Sequence, residues 1–296
     1  MTTQRTLPLT HALLALAVVA VWGSNFAVIK IALGHLPPLL FATLRFAFAV
    51  FPAIFFIKRP PVPWRHLAAY GALIGAGQFG ILYVAINGHI AAGLASLVVQ
   101  TQVFFTIILS ILIERENVRP FQWVALLLAA TGIGVIALHT DGDTDALGIV
   151  LVLIAAMSWA AGNLVAKRSG KVNMLAYVVW ASPFSVLPLL AVSLMFEGPH
   201  AIVEGLRQAD ATTWAAVLWQ SIGNTLFGYV AWGWLLARHP AAIVVPSALL
   251  VPVFGMGTTA LVLAEPLPAW KLIAAALVIS GLALNILWPV LRRTES

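Results

Sequence analysis

The sequence predicts an all-α integral membrane protein. It reads as ten transmembrane helices in two inverted five-helix repeats, with both termini cytoplasmic. Three observations carry this prediction. Of 296 residues, 61% are hydrophobic and only 9% charged, against about 45–50% and about 25% in a soluble domain. The apolar residues fall in runs of spanning length. The charges fall between those runs, and unevenly.

So few charges cannot cover a water-facing surface, and the same numbers exclude disorder. A net charge of +6 would suggest nucleic acid in a soluble protein. Here Lys and Arg are scattered in short loops, with no run longer than two. No nucleic-acid partner is expected. There are no cysteines, which removes disulfides, thiolate metal sites and Cys nucleophiles. His11, His35, His66, His89, His139, His200 and His239 form no HExxH-type pair. Neither a metal nor another cofactor is expected.

A spanning helix needs about 20 mostly apolar residues. Punctuation by Pro, Gly and charge gives ten, over 11–30, 38–57, 66–86, 91–112, 120–138, 147–166, 175–196, 212–236, 241–263 and 268–289. Runs such as Leu13–Val21 and Val124–Ala130 are continuous rather than alternating, so helices are expected and not a barrel. The first run ends in Trp22-Gly23-Ser24-Asn25-Phe26 and Lys30 with no A-x-A pattern; it reads as a retained span, not a secretory signal. The longest loop, about 197–211, is polar and too short for a domain.

With the N-terminus inside, cytoplasmic segments hold 12 of the 16 basic residues, and Lys30, Arg207 and Lys271 lie outside. That split orients the chain. Arg45 is within a span. Trp64, Trp123, Trp214, Trp270 and Trp288 lie near span ends as interfacial anchors.

Two spacings repeat. Trp22…Lys30 returns as Trp159…Lys167, and Glu116…Gly132 returns as Glu265…Gly281. Phe105 and Phe254 keep the second register. Residues 1–140 and 141–296 are therefore read as two five-helix copies. An odd repeat must enter from opposite faces, which is the inverted architecture of secondary transporters.

The stretch Trp22-Gly23-Ser24-Asn25-Phe26, then Lys30, Pro37-Pro38, Phe41-Ala42 and Arg45, resembles the opening of EamA-type drug/metabolite transporters. The two Glu…Gly repeat ends resemble that family too. So does Pro252-Val253-Phe254, while Gln102-Val103-Phe104 lacks the proline and suggests a straighter helix. The resemblance covers essentially the whole chain. It implies a monomeric, multi-pass inner-membrane carrier that exports small metabolites. Within the family the chain looks most like the YddG-type exporters of aromatic amino acids. Another amphipathic metabolite or drug remains an alternative cargo, and a channel an alternative mechanism.

Candidate substrate contacts follow from polar and aromatic residues inside spans. Arg45 is expensive there, by about 2.5 kcal/mol or more, so it should face the interior. It either attracts a substrate carboxylate, or it caps carbonyls freed at Pro52 or pins span 1; we favour the structural role. Gln220 and Asn224 share a face at i, i+4, which Phe227 continues, with Trp219 beside them. Gln78 and Tyr83 lie on span 3. Gln100 and Gln102 flank a cavity or bond between helices. Trp22 and Trp159 are repeat-related and either plug gaps or stack on substrate. Asn25 and Asn163 lean towards packing. Pro52, Pro183, Pro188, Pro246 and Pro252 are expected to kink spans 2, 7 and 9.

No Walker motif is present, and no constellation of nucleophile, base or metal ligands lies inside the spans, so the chain is not read as an enzyme. All ten carboxylates fall in loops or at span ends. Glu116 and Glu265 are read as organising turns. Without an intramembrane acid, the sequence argues for facilitated diffusion, or for a coupling it does not reveal, rather than proton antiport.

Overall fold

Several apolar runs start as helices for a local reason. Pro38 and Pro120 occupy first-turn positions, where a missing N–H costs nothing. Asp145, Asn173 and Asp210 cap their helices through side-chain oxygens that accept the amides of Gly148, Ala176 and Thr213. The computed structural model describes residues 7–114, 119–139, 143–170 and 172–293.

Among these residues, nine helices are long and apolar enough to cross a membrane. They are α1 (Leu9–Ala32), α2 (Pro38–Phe56), α3 (Trp64–Ile86), α4 (Ala92–Ile113), α5 (Pro120–Ala137), α6 (Ala146–Arg168), α7 (Met174–Phe196), α9 (Val245–Leu263) and α10 (Ala269–Trp288). Between α7 and α9, residues 211–238 are also continuously helical and are labelled α8. Gln220, Ser221, Asn224 and Thr225 make α8 too polar to count by apolarity alone. Glu116, used in the repeat reading, lies outside the described residues.

The segment read as a polar loop after α7 is largely a helix, Gly198–Gln208. Gly198 takes a positive φ of 81°, which lets the chain turn sharply out of α7. Pro199 then starts the new helix, and Gln208 bonds Glu204 one turn back at 2.8 Å.

The prolines act unequally. Helix α2 breaks between Val50 and Ala53, around Pro52. Helix α7 is interrupted at Ser182, before Pro183, yet Pro188 sits inside a continuous helix. Pro246 lies in a 3₁₀ stretch, Val245–Leu250. Helix α4 is not wholly straight either: Val99–Thr101 is 3₁₀ without any proline.

Two helices carry a wider turn. Residues Ala72–Gly80 of α3 and Trp219–Phe227 of α8 are π-helical, nine residues each. Position 219 is 147 residues beyond 72. Such stretches are rare, and they concentrate at functional sites.

Helix α5 packs along α10. Gly132 fits against Val278 and Ala274, and Gly281 against Ala125. A Cβ at Gly23 would overlap Phe254 and the Val251 carbonyl, so α1 lies close against α9. Gly71 and Gly75 bring α3 equally close to α7. Helix α3 is central and mostly buried, while α5 is mostly exposed. Phe55, Phe56, Leu127 and Leu261 point outward and exposed, as a lipid-facing surface requires.

Candidate functional site

One group of buried polar residues joins α2 to α3 and α8. Arg45 is 2% exposed. Its Nη1 donates to the Tyr83 hydroxyl at 2.9 Å, and its Nη2 to Thr225 Oγ1 at 3.3 Å. The guanidinium lies 3.6 Å from the Phe79 ring centroid, within cation–π range. These bonds pin α2 to α3 and α8. Neither α1 nor a carbonyl at Pro52 accepts from Arg45.

Local geometry explains Thr225. In a π stretch the ladder closes at i+5, and Thr225 Oγ1 donates to the Gln220 carbonyl at 2.9 Å. Ser221 Oγ donates to the Arg45 carbonyl at 2.9 Å. Both ends of residue 45 are thus held by α8. Tyr83 is fully buried and stacks on Phe41, with centroids 4.9 Å apart.

A cavity of about 10 Å³ lies beside Arg45, bounded by Tyr70, Phe79, Ser182, Ser185, Thr225 and Tyr229 among others. That is room for about one water. No solute larger than that fits in this arrangement.

The structure brings part of the expected site together. Gln220 and Asn224 are buried on α8, and Gln78 is buried on α3. Trp22 reaches α8: its Nε1 donates to the Asn224 carbonyl at 3.1 Å, and its ring lies 5.2 Å from Trp232. Trp219 and Phe227 are each 39% exposed. The π geometry rotates the stripe, so Phe227 does not continue the face of Gln220 and Asn224.

A second group forms between α4 and α6. Asn163 Nδ2 donates to Gln102 Oε1 at 3.2 Å. Gln100 is buried on α4, and Trp159 packs half-buried against the core. Among the described residues no hydrogen bond links this group to Arg45.

Sequence reasoning missed Thr225, Ser182, Ser185 and Tyr70. Hydroxyls inside helices carry little signal, since most bond their own turn, as Ser182 does to Val178. It also missed what two carboxylates do. Glu197 accepts the amides of Leu39 and Leu40 at 2.6 and 3.0 Å, and the Ser193 hydroxyl at 2.6 Å. Glu265 accepts the amides of Ala92 and Gly93 at 2.9 and 3.0 Å. Each caps the start of a distant helix, where orphan donors and the dipole favour an anion. Lys30 serves the opposite pole, donating to the Ile86 carbonyl at 3.1 Å. Among the described residues no three His, Asp or Glu side chains come together as metal ligands.

An all-helical bundle with apolar outer faces and a buried polar centre is the build of a multi-pass membrane transporter. A solved structure titled only "Crystal structure of protein" has the same fold, with a TM-score of 0.64 at 19% identity, covering 97% of this chain and 99% of that one. The EamA-like transporter family matches twice, over residues 9–138 and 146–287. The chain therefore belongs to the EamA-like transporter family, and it is a carrier rather than an enzyme. It is 42% identical to a "Probable amino-acid metabolite efflux pump" of Salmonella typhimurium, over 95% of this chain and 96% of that one. A protein of the same name in Escherichia coli is 40% identical, over 92% and 93%. A "Probable terminal-alkyne amino-acid exporter" of Streptantibioticus cattleyicolor is 26% identical, over 90% of each.

Proposed function

We propose that this chain exports amino acids and related metabolites across the inner membrane, by alternating access around the polar centre at Arg45. One observation carries the reading: a buried cation and a cluster of amides and hydroxyls lie where helices from both parts of the chain meet. Such groups are costly inside a membrane and mark solute pathways where they occur.

In this reading α8 is a tenth span, and 1–140 and 141–296 are two inverted five-helix repeats. The paired π segments and the two family matches support that division. The uneven distribution of basic residues supports cytoplasmic termini. The names of the Salmonella and Escherichia relatives support amino-acid metabolites as cargo. Phe46, Phe79, Tyr70 and Tyr229 around the cavity favour members with an aromatic side chain. In this reading the chain works as a monomer. Among the described residues no carboxylate stands in the polar centre, which favours facilitated diffusion, or a coupling carried elsewhere, over proton antiport.

The test is counterflow in proteoliposomes. Labelled Phe, Tyr or Trp should accumulate in vesicles preloaded with the same solute. Gln78→Ala and Asn224→Ala should reduce the flux, with Gln100, Gln102, Trp159 and Asn163 as the next positions. Absence of counterflow for every amino acid offered would sink the reading. Collapse of transport when a pH gradient is dissipated would remove the facilitated mechanism.

A further inference from the structure

Four buried side-chain atoms among the described residues lack a hydrogen-bond partner within the protein. They are Arg45 Nε, Gln220 Nε2, Gln220 Oε1 and Asn25 Oδ1. Their residues are 2%, 0% and 4% exposed. Buried polar atoms are almost always paired, so four together call for an explanation.

They are not scattered. Gln220 and Arg45 are neighbours, joined through Thr225, which accepts from Arg45 and donates to the Gln220 carbonyl. Asn25 sits one turn beyond Trp22, whose indole donates to Asn224 of the same π stretch. All four atoms thus belong to α1, α2 and the widened turn of α8. Arg45 also lines the small cavity.

Their chemistry divides in two. Arg45 Nε and Gln220 Nε2 are donors, one of them cationic. Gln220 Oε1 and Asn25 Oδ1 are neutral acceptors. Both ends of the Gln220 amide are free, so this division does not depend on which way that amide is drawn.

We propose that these atoms read the two charged groups of a zwitterion. The donors take an α-carboxylate, and the carboxamide oxygens take an α-ammonium. The inference rests on amino-acid export and sharpens it: the protein recognises the backbone of its cargo first, and the aromatic lining then selects among side chains. It also accounts for an acid-free polar centre. Carboxamides accept from an ammonium without adding a second buried charge, and the guanidinium already supplies the charge a carboxylate needs. Amines without a carboxylate and acids without an ammonium should both be poor ligands.

The experiment uses the full chain in proteoliposomes. Phe, Tyr, Trp, Leu, Met and Ser are first offered in counterflow. The best transported member is then competed with its decarboxylated amine and its deaminated acid. Each truncated analogue should compete at least about tenfold more weakly, since a site built around a hydrogen bond rejects ligands lacking it. Arg45→Gln should weaken half-saturation by the amino acid by about tenfold or more and leave the weak competition by the amine unchanged. Gln220→Leu should weaken half-saturation in the same direction.

Competition by either analogue within about threefold of the parent overturns the proposal, because the rejection expected of a paired site would be missing. So does unchanged affinity in a folded Arg45→Gln protein. If that variant does not fold, the analogue series on the unmodified chain decides alone. Counterflow of no amino acid overturns the export reading, and this inference with it. Counterflow with indifferent analogues overturns this inference only.

Discussion

The Glu265 carboxylate accepts the Ala92 amide at 2.9 Å, across 173 residues of sequence. The turn after α9 therefore holds the start of α4. A second oxygen of the same group takes Gly93. Glu265→Ala leaves two helix-start donors unmet and should cost about 1–2 kcal/mol of stability. Glu265→Gln keeps an acceptor and should cost less. Thermal unfolding in detergent distinguishes them; equal unfolding temperatures for all three proteins would show that the clamp contributes nothing.

Tyr83→Phe removes the acceptor of Arg45 Nη1 while keeping the ring on Phe41. The buried guanidinium then loses one of its two bonded partners. A destabilisation of about 1–3 kcal/mol follows, with reduced transport. A variant as stable as the parent would mean that Arg45 finds another acceptor.

Gly23→Leu forces a side chain into Phe254 and the Val251 carbonyl. Backbone cannot yield as a side-chain tip can. The cost should be about 1–3 kcal/mol or more, seen as a lower yield of monodisperse protein on size exclusion. Gly134→Ala, where a Cβ meets nothing within 4 Å, is the control and should behave as the parent.

Acid should act through the helix caps at the membrane surface. The His89 hydrogen bond, then the Gly148 amide, holds the Asp145 carboxyl below its ordinary value. The Thr213 amide and hydroxyl do the same for Asp210. A depressed carboxyl stabilises the fold above its unfolded pKa, about 3.9, and loses that contribution as pH falls through the lower folded value. These caps should therefore hold from neutral pH down to about 4 and fail below it. Unfolding temperatures of Asp145→Asn and Asp210→Asn should fall less over the acid range than those of the parent; parallel curves would contradict this.

The chain has no cysteine, so single introduced thiols report topology cleanly. With cytoplasmic termini, Gln208→Cys should react with an impermeant maleimide on intact cells, and Arg65→Cys only after permeabilisation. The reverse pattern would invert the orientation.

What the sequence disclosed follows from the range of each signal. Helices α1–α7, α9 and α10 were legible because a lipid-spanning run of about 20 residues is a local property. Arg45 was legible because it is the lone charge in a span centre. Its partner Thr225 was not, because a π turn leaves no mark in hydropathy and shifts each face by one residue. The roles of Glu197 and Glu265 were hidden for another reason. Their partners lie 158 and 173 residues away, and no local pattern announces a bond over that distance.

The two widened turns hold a reserve of rotation. Each keeps residues in a looser coil than an α-helix, where one residue corresponds to about 100° of turn. Tightening one turn by a single residue swings everything beyond it about the helix axis. Tyr83 lies beyond the widened turn of α3, and Tyr229 and Trp232 beyond that of α8, so such a change would shift their rings relative to Arg45 and Trp22. Seams fixed by glycine, such as α1 on α9, need not part for this to happen. The pocket would then open as a screw turns rather than as a jaw gapes. Hydrogen exchange at 72–80 and 219–227 should accelerate when substrate is added, while the α1–α9 seam stays protected.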